Sequence, residues 1–531
     1  MKPLCVEDLS VEQKIGQLLV ARDISGKENF DFAMDLIRNH ALGGVQAKML
    51  PETKEKVIDP VLEAADYPIF IAETMERGYP LGNKTIAGNI SLGALQDPKY
   101  AYEFARIMAT EVKKIGYNMI WAPDVDLAPK DSPMRTMRCF GSDKELAAKM
   151  CCAYMRGFAE CGVIGSAKHF PSIMDIMVDT HMEESVSYHT REELLQDCMY
   201  PYRRAIEELG PDMMGIETGH VRLLKIDPDY PVTVSKACVD LVRESGFDGL
   251  LITDSLAMMG IVRRFGDEKL PGMAVAAGHD LVLPNYRIPL RDAYDALLRA
   301  YQEGVFDEDR LNEACRRVLR AQERTLRKPV CPDLTENDQA IIDKINTDCI
   351  CALTDKGFSP AIDQGKRHLF VIVKPNLYED DVTASSEVGF NKVWVPDKIA
   401  GSLKERFPNS EIVFISEFPH AVQNENVCAK ALKNEDVVFV TFCEPAPYQG
   451  IDGLSERLRY LIHSMADHVA AIVHVGNPYA MEKVPHVPRL IIGFPHPTCL
   501  EALPKVLAGE ICPKGKLPIN IKWWHEEGQG K

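Results

Sequence analysis

Three side chains stand where their neighbours give them chemistry to do. Asp254 follows the apolar run Gly249–Thr253 (GLLIT) directly. A carboxylate at the end of a buried strand suits a nucleophile; the plain alternative is a strand-end cap or salt bridge. Asp179 lies two residues before His181, in the segment 168–181 (KHFPSIMDIMVDTH). A carboxylate this near an imidazole fixes its tautomer and raises its proton affinity, which suits a general acid/base. The same segment also reads as a surface ion pair, or as a zinc site built from His169, Asp179 and His181. No H-E-x-x-H pattern supports a metal, so neither a metal nor an organic cofactor is expected. Glu183 and Glu184 read as solvated loop charges, and Glu217 as either a pocket residue or half of a buried ion pair.

These residues need elements to hold them. Apolar runs at 68–72, 118–122, 163–167, 213–217, 249–253 and 279–284 alternate with helix-like stretches at 100–114, 144–161, 191–209 and 236–245. Short apolar runs alternating with helices predict a parallel sheet. Their number, and the lack of a G-x-G-x-x-G in the first unit, favour a closed TIM-type (β/α)8 barrel over an open sheet. In such a barrel the site lies at the C-terminal ends of the strands. The polar residues after each run are therefore the candidates: Glu73 to Gly78, Pro123 to Asp126, Lys168 and His169, Thr218 to His220, and Asp254 with Ser255. Trp121 reads as core or as an aromatic stacking face. Ser235 is the expected N-cap of the helix that follows it.

Turn signals at Lys328-Pro329 and in 330–334 place a boundary after the helix 308–327. The reading is a barrel over 1–330, a linker over 331–345, and a second α/β sandwich domain over 346–531, with apolar runs at 368–373, 411–415, 436–442, 469–475 and 490–492.

The 531 residues carry a formal charge of −17, are 46% hydrophobic and 26% charged, and include 15 cysteines. Net acidity argues against nucleic acid and anionic membranes as partners. No apolar run approaches the roughly 18 residues that span a bilayer, and Met1 to Asp8 lacks the apolar core of a signal peptide. The cysteines include the adjacent Cys151 and Cys152 but no C-x-x-C pair. They are expected to be reduced thiols in the cytoplasm rather than a disulfide frame or a zinc site. The tail Trp523-Trp524-His525 reads as docking on the barrel or as covering an apolar patch at a homodimer contact.

The motifs resemble one family. KHFPSIMDIMVDTH is similar to the K-H-F-P-G-H-G-D-x-x-x-D-S-H loop of family 3 β-N-acetylglucosaminidases, and TDSLAMMG to their strand ending in [ST]-D-[DS]-L-x-M. WAPDVD (121–126), MRCFGSD (137–143), IDPDYPVTVS (226–235), GFDGLLITDSLAM (246–258), AAGHDLVL (276–283) and GKLPINI (515–521) match further family segments, in order, over nearly the whole chain. The resemblance implies Asp254 as nucleophile, the Asp179–His181 dyad as acid/base, and Lys168, His169, Arg138, Asp126, Glu76, Thr74 and His220 as sugar-binding residues. It implies a retaining exo-β-glycosidase, acting on N-acetylglucosaminides or a related sugar of a small carbohydrate or glycoconjugate.

The departures fall in recognition rather than cleavage. Ser172-Ile173-Met174 replaces the loop's G-H-G. The sugar-binding segment D-x-E-G-G reads Thr74-Met75-Glu76-Arg77-Gly78, and Gly82 stands where an arginine is expected. Two rival readings accompany this one. A deprotonated imidazole repels phosphate less than a glutamate would, so a phosphate-dependent β-glycoside phosphorylase is the rival enzyme. The altered recognition segment motivates a non-catalytic barrel that binds a glycan or muropeptide fragment.

Overall fold

The computed structural model describes residues 1–128, 136–172, 178–374, 395–444 and 453–521. The chain forms two compact units. The first gathers Met1–Lys84, Pro98–Ser132 and Lys144–Asp338; the second gathers Thr85–Asp97, Pro133–Asp143 and Gln339–Lys531.

The first unit is a parallel barrel. Strand β1 (Val20–Ala21) pairs with β2 (Gly44–Gln46), β2 with β3 (Phe70–Glu73), β3 with β4 (Met119–Ile120), and β4 with β5 (Ile164–Gly165). Past Ser166 the chain continues as β6 (Ala167–Phe170), which pairs with β8 (Gly215–Thr218), and β8 pairs with β10 (Leu250–Thr253). Parallel bridges Ile252–Leu281 and Leu19–Val282 bring the sheet back to its start. A short parallel pair, β7 (Ser185–Ser187) and β9 (Val221–Leu223), lies outside this ring. Val20, Phe70, Met119, Trp121, Ile164, Leu250 and Ile252 form one buried cluster with Val318 and Ala321 of the last barrel helix. Trp121 therefore belongs to the core, as an aromatic in an apolar run usually does.

Several elements follow the pattern of the sequence. Helices span Pro98–Ile115, Lys144–Glu160 and Lys236–Glu244, and the Ser235 side chain accepts from the Cys238 N–H as an N-cap. Others differ. The helix expected over 191–209 is broken into Arg191–Glu193, a π-type turn at Leu194–Cys198, and Tyr200–Leu209, with Pro201 in the first turn of the last piece. Strands β1 and β2 have too few residues to show a periodicity.

The expected linker at 331–345 is largely helix, since Asn337–Asp348 is α-helical. Nor is the cut between the units a single point. Segments 85–97 and 136–143 pack with the C-terminal part of the chain: Asn346 donates to the Thr85 carbonyl (2.9 Å), Lys516 N–H to Ala94 (2.8 Å), and Ser142 N–H to Pro518 (3.0 Å). The cysteine expectation needs a correction too. Cys161 and Cys331, 170 residues apart, are joined as a disulfide; the other described cysteines stand outside any disulfide.

The second unit holds a six-stranded sheet in the order β11 (Cys351–Thr354), β16 (Arg489–Gly493), β15 (Val469–Gly476), β14 (Asp436–Cys443), β12 (His368–Lys374), β13 (Glu411–Ser416). All pairs are parallel except β11 with β16. The four inner strands β12, β14, β15 and β16 are buried on both faces and read as continuous apolar runs, while the edge strands β11 and β13 are only part-buried. No helix among the described residues is long and apolar enough to cross a membrane. Ile173, Met174 and the Trp523-Trp524-His525 tail lie outside the described residues.

Candidate active site

The strands of the first unit gather their polar residues at one end, the C-terminal one, as barrel geometry requires. Asp254 follows β10. Its backbone N–H donates to the Thr218 carbonyl at 3.0 Å, and its Oδ1 accepts from the Ser255 N–H at 2.6 Å. Among the described residues Asp254 makes no salt bridge and no other hydrogen bond. Burial pushes its carboxyl pKa up, but His220, His169, the Ser255 N–H and His181 outweigh this and hold it below the ordinary carboxylate range. The group is therefore ionised at neutral pH, with its second oxygen uncommitted.

Lys168 and His169 lie within strand β6 and are buried, rather than following it. Lys168 Nζ pairs with Glu76 Oε1 at 2.9 Å. His169 donates twice to Asp126, from its backbone N–H (3.1 Å) and from Nδ1 (3.0 Å). Asp126 in turn takes its own backbone N–H into Asp124 Oδ1 at 3.1 Å. The His169 Nδ1 is thus committed to Asp126. His169, Glu217 and Asp254 each bring a ligand-type atom within 4.8 Å of the others, as do Asp124, Asp126 and His169. The trio His169, Asp179 and His181 forms no such group among the described residues.

Asp179 and His181 are paired closely. Asp179 Oδ1 accepts from both the His181 backbone N–H (2.9 Å) and its Nδ1 (2.7 Å). This fixes the orientation of the ring and commits its Nδ1 to the pair. The loop is held from below. Met259 N–H donates to the His181 carbonyl at 2.9 Å. A Cβ on Gly260 would meet the carbonyl oxygens of Glu183 at 2.5 Å and Thr180 at 2.6 Å, so only glycine lets the loop settle there. Glu184 is not a solvated loop charge: it bridges Arg222 (3.0 Å) and Arg264 (2.8 Å). Glu183 is exposed.

Ser172 replaces a family glycine yet keeps a glycine-like backbone, with φ at 67°. Its hydroxyl accepts from the Leu127 N–H at 2.9 Å and its N–H donates to the His169 carbonyl at 2.8 Å, which offsets the strain of a left-handed residue. The His220 ring makes two contacts: its Nε2 donates to the Ser255 carbonyl (2.8 Å) and its Nδ1 meets Thr233 Oγ1 (2.6 Å). It positions the residue after Asp254. Thr74 is half-buried, with its backbone N–H on Glu73 Oε1 at 2.7 Å. Arg138 belongs to the second unit, whereas all the residues gathered here are in the first.

Sequence reading missed the neighbours supplied by β1 and β2. Arg22, just after β1, donates from Nη1 to Ser255 Oγ and from Nε to Gln46 Oε1 at 3.0 Å. Gln46 passes the chain on to Glu73 Oε1 at 2.9 Å. Tyr286 stacks beneath Arg22, 5.0 Å from guanidinium carbon to ring centre. The one available signal was a lone arginine directly after the apolar run Leu18–Ala21.

The chain is similar to several known proteins. A β-hexosaminidase of Hydrogenovibrio crunogenus is 34% identical over 186 residues, covering 34% of this chain and 51% of that protein. A β-N-acetylglucosaminidase/β-glucosidase of Cellulomonas fimi is 25% identical over 334 residues, 59% of this chain and 57% of that protein. The chain thus spans about half the length of these curated relatives. Among solved structures, a family 3 β-N-acetylglucosaminidase from Paenibacillus sp. str. FPU-7 superposes with a TM-score of 0.79 at 26% identity, covering 97% of this chain and 99% of that one. A β-glucoside phosphorylase superposes at 0.78 over 97% of this chain and 94% of that one, and at 20% identity shares the fold alone. Residues 10–321 match the glycosyl hydrolase family 3 N-terminal domain, and the chain belongs to that family.

Proposed function

We propose that this protein is a retaining exo-β-glycosidase that hydrolyses a terminal β-linked sugar, an N-acetylglucosaminide or a close relative, through a covalent glycosyl-enzyme intermediate. The observation that carries the reading is the pairing of an ionised, uncommitted Asp254 with a His181–Asp179 dyad docked on the turn that follows it. Likeness to a β-hexosaminidase and to a β-N-acetylglucosaminidase supports the substrate class.

In the first step an Asp254 oxygen attacks the anomeric carbon. The bond from that carbon to the leaving oxygen breaks, and His181 Nε2 gives that oxygen its proton. In the second step His181 takes a proton from water, water attacks the same carbon, and Asp254 leaves. Asp179 holds the ring in one tautomer and stabilises the imidazolium, as the aspartate of a Ser-His-Asp triad does. Lys168 and Glu76, paired at 2.9 Å, and His169, backed by Asp126, offer charged hydrogen-bonding groups to sugar hydroxyls.

The test is kinetic. His181→Ala slows glycosides with poor leaving groups far more than activated aryl glycosides, since a good leaving group departs unprotonated. Asp179→Ala acts in the same direction and more weakly. Azide restores part of the His181→Ala rate on an activated substrate and gives an adduct of retained configuration. Wild-type rates for both variants on poor leaving groups would remove the dyad from the mechanism. A rate that depends on added phosphate would replace hydrolysis with phosphorolysis.

A further inference from the structure

Arg22 is the charged group of this site that no motif explains. It leaves strand β1 at the barrel end that holds Asp254, and it is half-buried. Its guanidinium is fixed on three sides: Nη1 on Ser255 Oγ, Nε on Gln46 Oε1 at 3.0 Å, and one face on the Tyr286 ring at 5.0 Å. Gln46 is itself anchored by Glu73, which also accepts the Thr74 N–H. The charges that face it are Asp254, Glu73 and Glu217. Yet among the described residues Arg22 forms no salt bridge, and its Nη2 donates to nothing.

A planar fork held rigidly by two of its nitrogens, with the third donor position open, is organised to bind something. Its place says what. The nucleophile approaches one side of the anomeric carbon and the acid/base serves the leaving group on the other. Arg22 is tied to Ser255, the neighbour of Asp254, so it flanks the terminal sugar and not the leaving group. The surrounding carboxylates repel an anionic substituent, so the partner is a neutral acceptor oxygen, either a ring hydroxyl or an acyl carbonyl.

We propose that Arg22 is a specificity-determining contact of the terminal sugar, donating from Nη2 to a neutral oxygen substituent, with Gln46 and Glu73 as its positioning residues. The inference rests on the glycosidase reading and supplies recognition that Thr74 and Gly82 do not.

The test is calorimetric titration of the full chain and of Arg22→Lys and Arg22→Met with glucose, N-acetylglucosamine, glucuronic acid and deoxyglucoses lacking one hydroxyl at a time. The same variants are assayed on the matching aryl β-glycosides. Arg22→Met weakens the preferred sugar on the order of 10- to 100-fold, read in binding and in KM, the cost of a charged hydrogen bond. Removing the contacted oxygen from the sugar abolishes that penalty, whereas removing any other leaves it intact. Arg22→Lys, which keeps the charge and loses the fork, restores only part. An equal loss in kcat over all sugars with KM unchanged would make Arg22 a positioning group for Asp254 and overturn the proposal. So would unchanged binding, or an Arg22-dependent preference for glucuronic acid. Arg22-dependent sugar binding without turnover would sink the glycosidase reading and leave this one standing. Turnover with an unaltered KM in Arg22→Met would do the reverse, and no binding or turnover with any probe would overturn both.

Discussion

Strand β10 touches two aspartates, one at each end, and they are treated in opposite ways. Near its start, Leu251 N–H donates to Asp280 Oδ2 at 3.0 Å. Asp280 is fully buried and saturated with cations: Arg243 at 2.6 Å, Arg310 at 2.7 Å and Arg317 at 3.4 Å. Past its other end, Asp254 has one backbone donor and no arginine in contact. Both carboxyls are pushed up by burial and end below the ordinary range. Asp280 gets there through its three arginines. Asp254 gets there through the histidines His220, His169 and His181 and one N–H. The difference is in what remains available. A carboxylate whose lone pairs are taken up by arginines and a backbone N–H is a structural joint. One kept ionised by charges around it, with an oxygen left over, is suited to the nucleophile's role proposed for Asp254.

Exchanging the two roles would break this comparison, and the largest effect belongs to Asp254. Asp254→Ala lowers turnover by several powers of ten, because no neighbouring group replaces a covalent nucleophile. Its unfolding midpoint in urea stays near wild type. Asp280→Asn does the opposite. It leaves three largely buried arginines without their common partner and costs about 3–5 kcal/mol of stability, measured by urea denaturation. Activity per folded molecule stays close to wild type at low temperature. Loss of stability in Asp254→Ala, or a stable but inactive Asp280→Asn, would show that the distinction is drawn in the wrong place.

A smaller effect sharpens the comparison on the nucleophile's side. Gly260→Ala places a methyl group against the carbonyls of Thr180 and Glu183. Overpacking of this kind costs about 1–3 kcal/mol, here by lifting the His181 loop. Alanine is otherwise welcome in the Met259–Phe265 helix, so global stability changes little. The expected signature is a rate loss of roughly tenfold or more on poor leaving groups and near none on activated ones. A uniform loss over both classes would mean that the loop's seat does not position the dyad.

What could be read from the sequence divides along similar lines. Asp254, Asp179 and His181 were legible because each combines a residue type with a short-range pattern: a strand end, or an i, i+2 pair. The barrel was legible from its alternating runs, even though β1 and β2, a few residues each, show no periodicity of their own. Arg22 and Gln46 were illegible for that reason, since their importance comes from strand neighbours rather than chain neighbours. The Cys161–Cys331 bond joins residues 170 apart, a proximity that only the fold creates. The same holds for the segments 85–97 and 136–143, whose partners at Asn346, Lys516 and Pro518 lie far along the chain. Ser172 shows the limit of motif reading in the other direction: a lost glycine left the backbone where a glycine would have put it.

The central claim is that Asp254 forms the covalent bond to the sugar. Incubation with a mechanism-based 2-fluoro glycoside of the preferred sugar, followed by digestion and mass mapping, reads this directly. The account predicts a single fluoroglycosyl adduct on Asp254, formed as activity is lost and absent in Asp254→Ala. An adduct on Glu217 or Glu183 instead would contradict it.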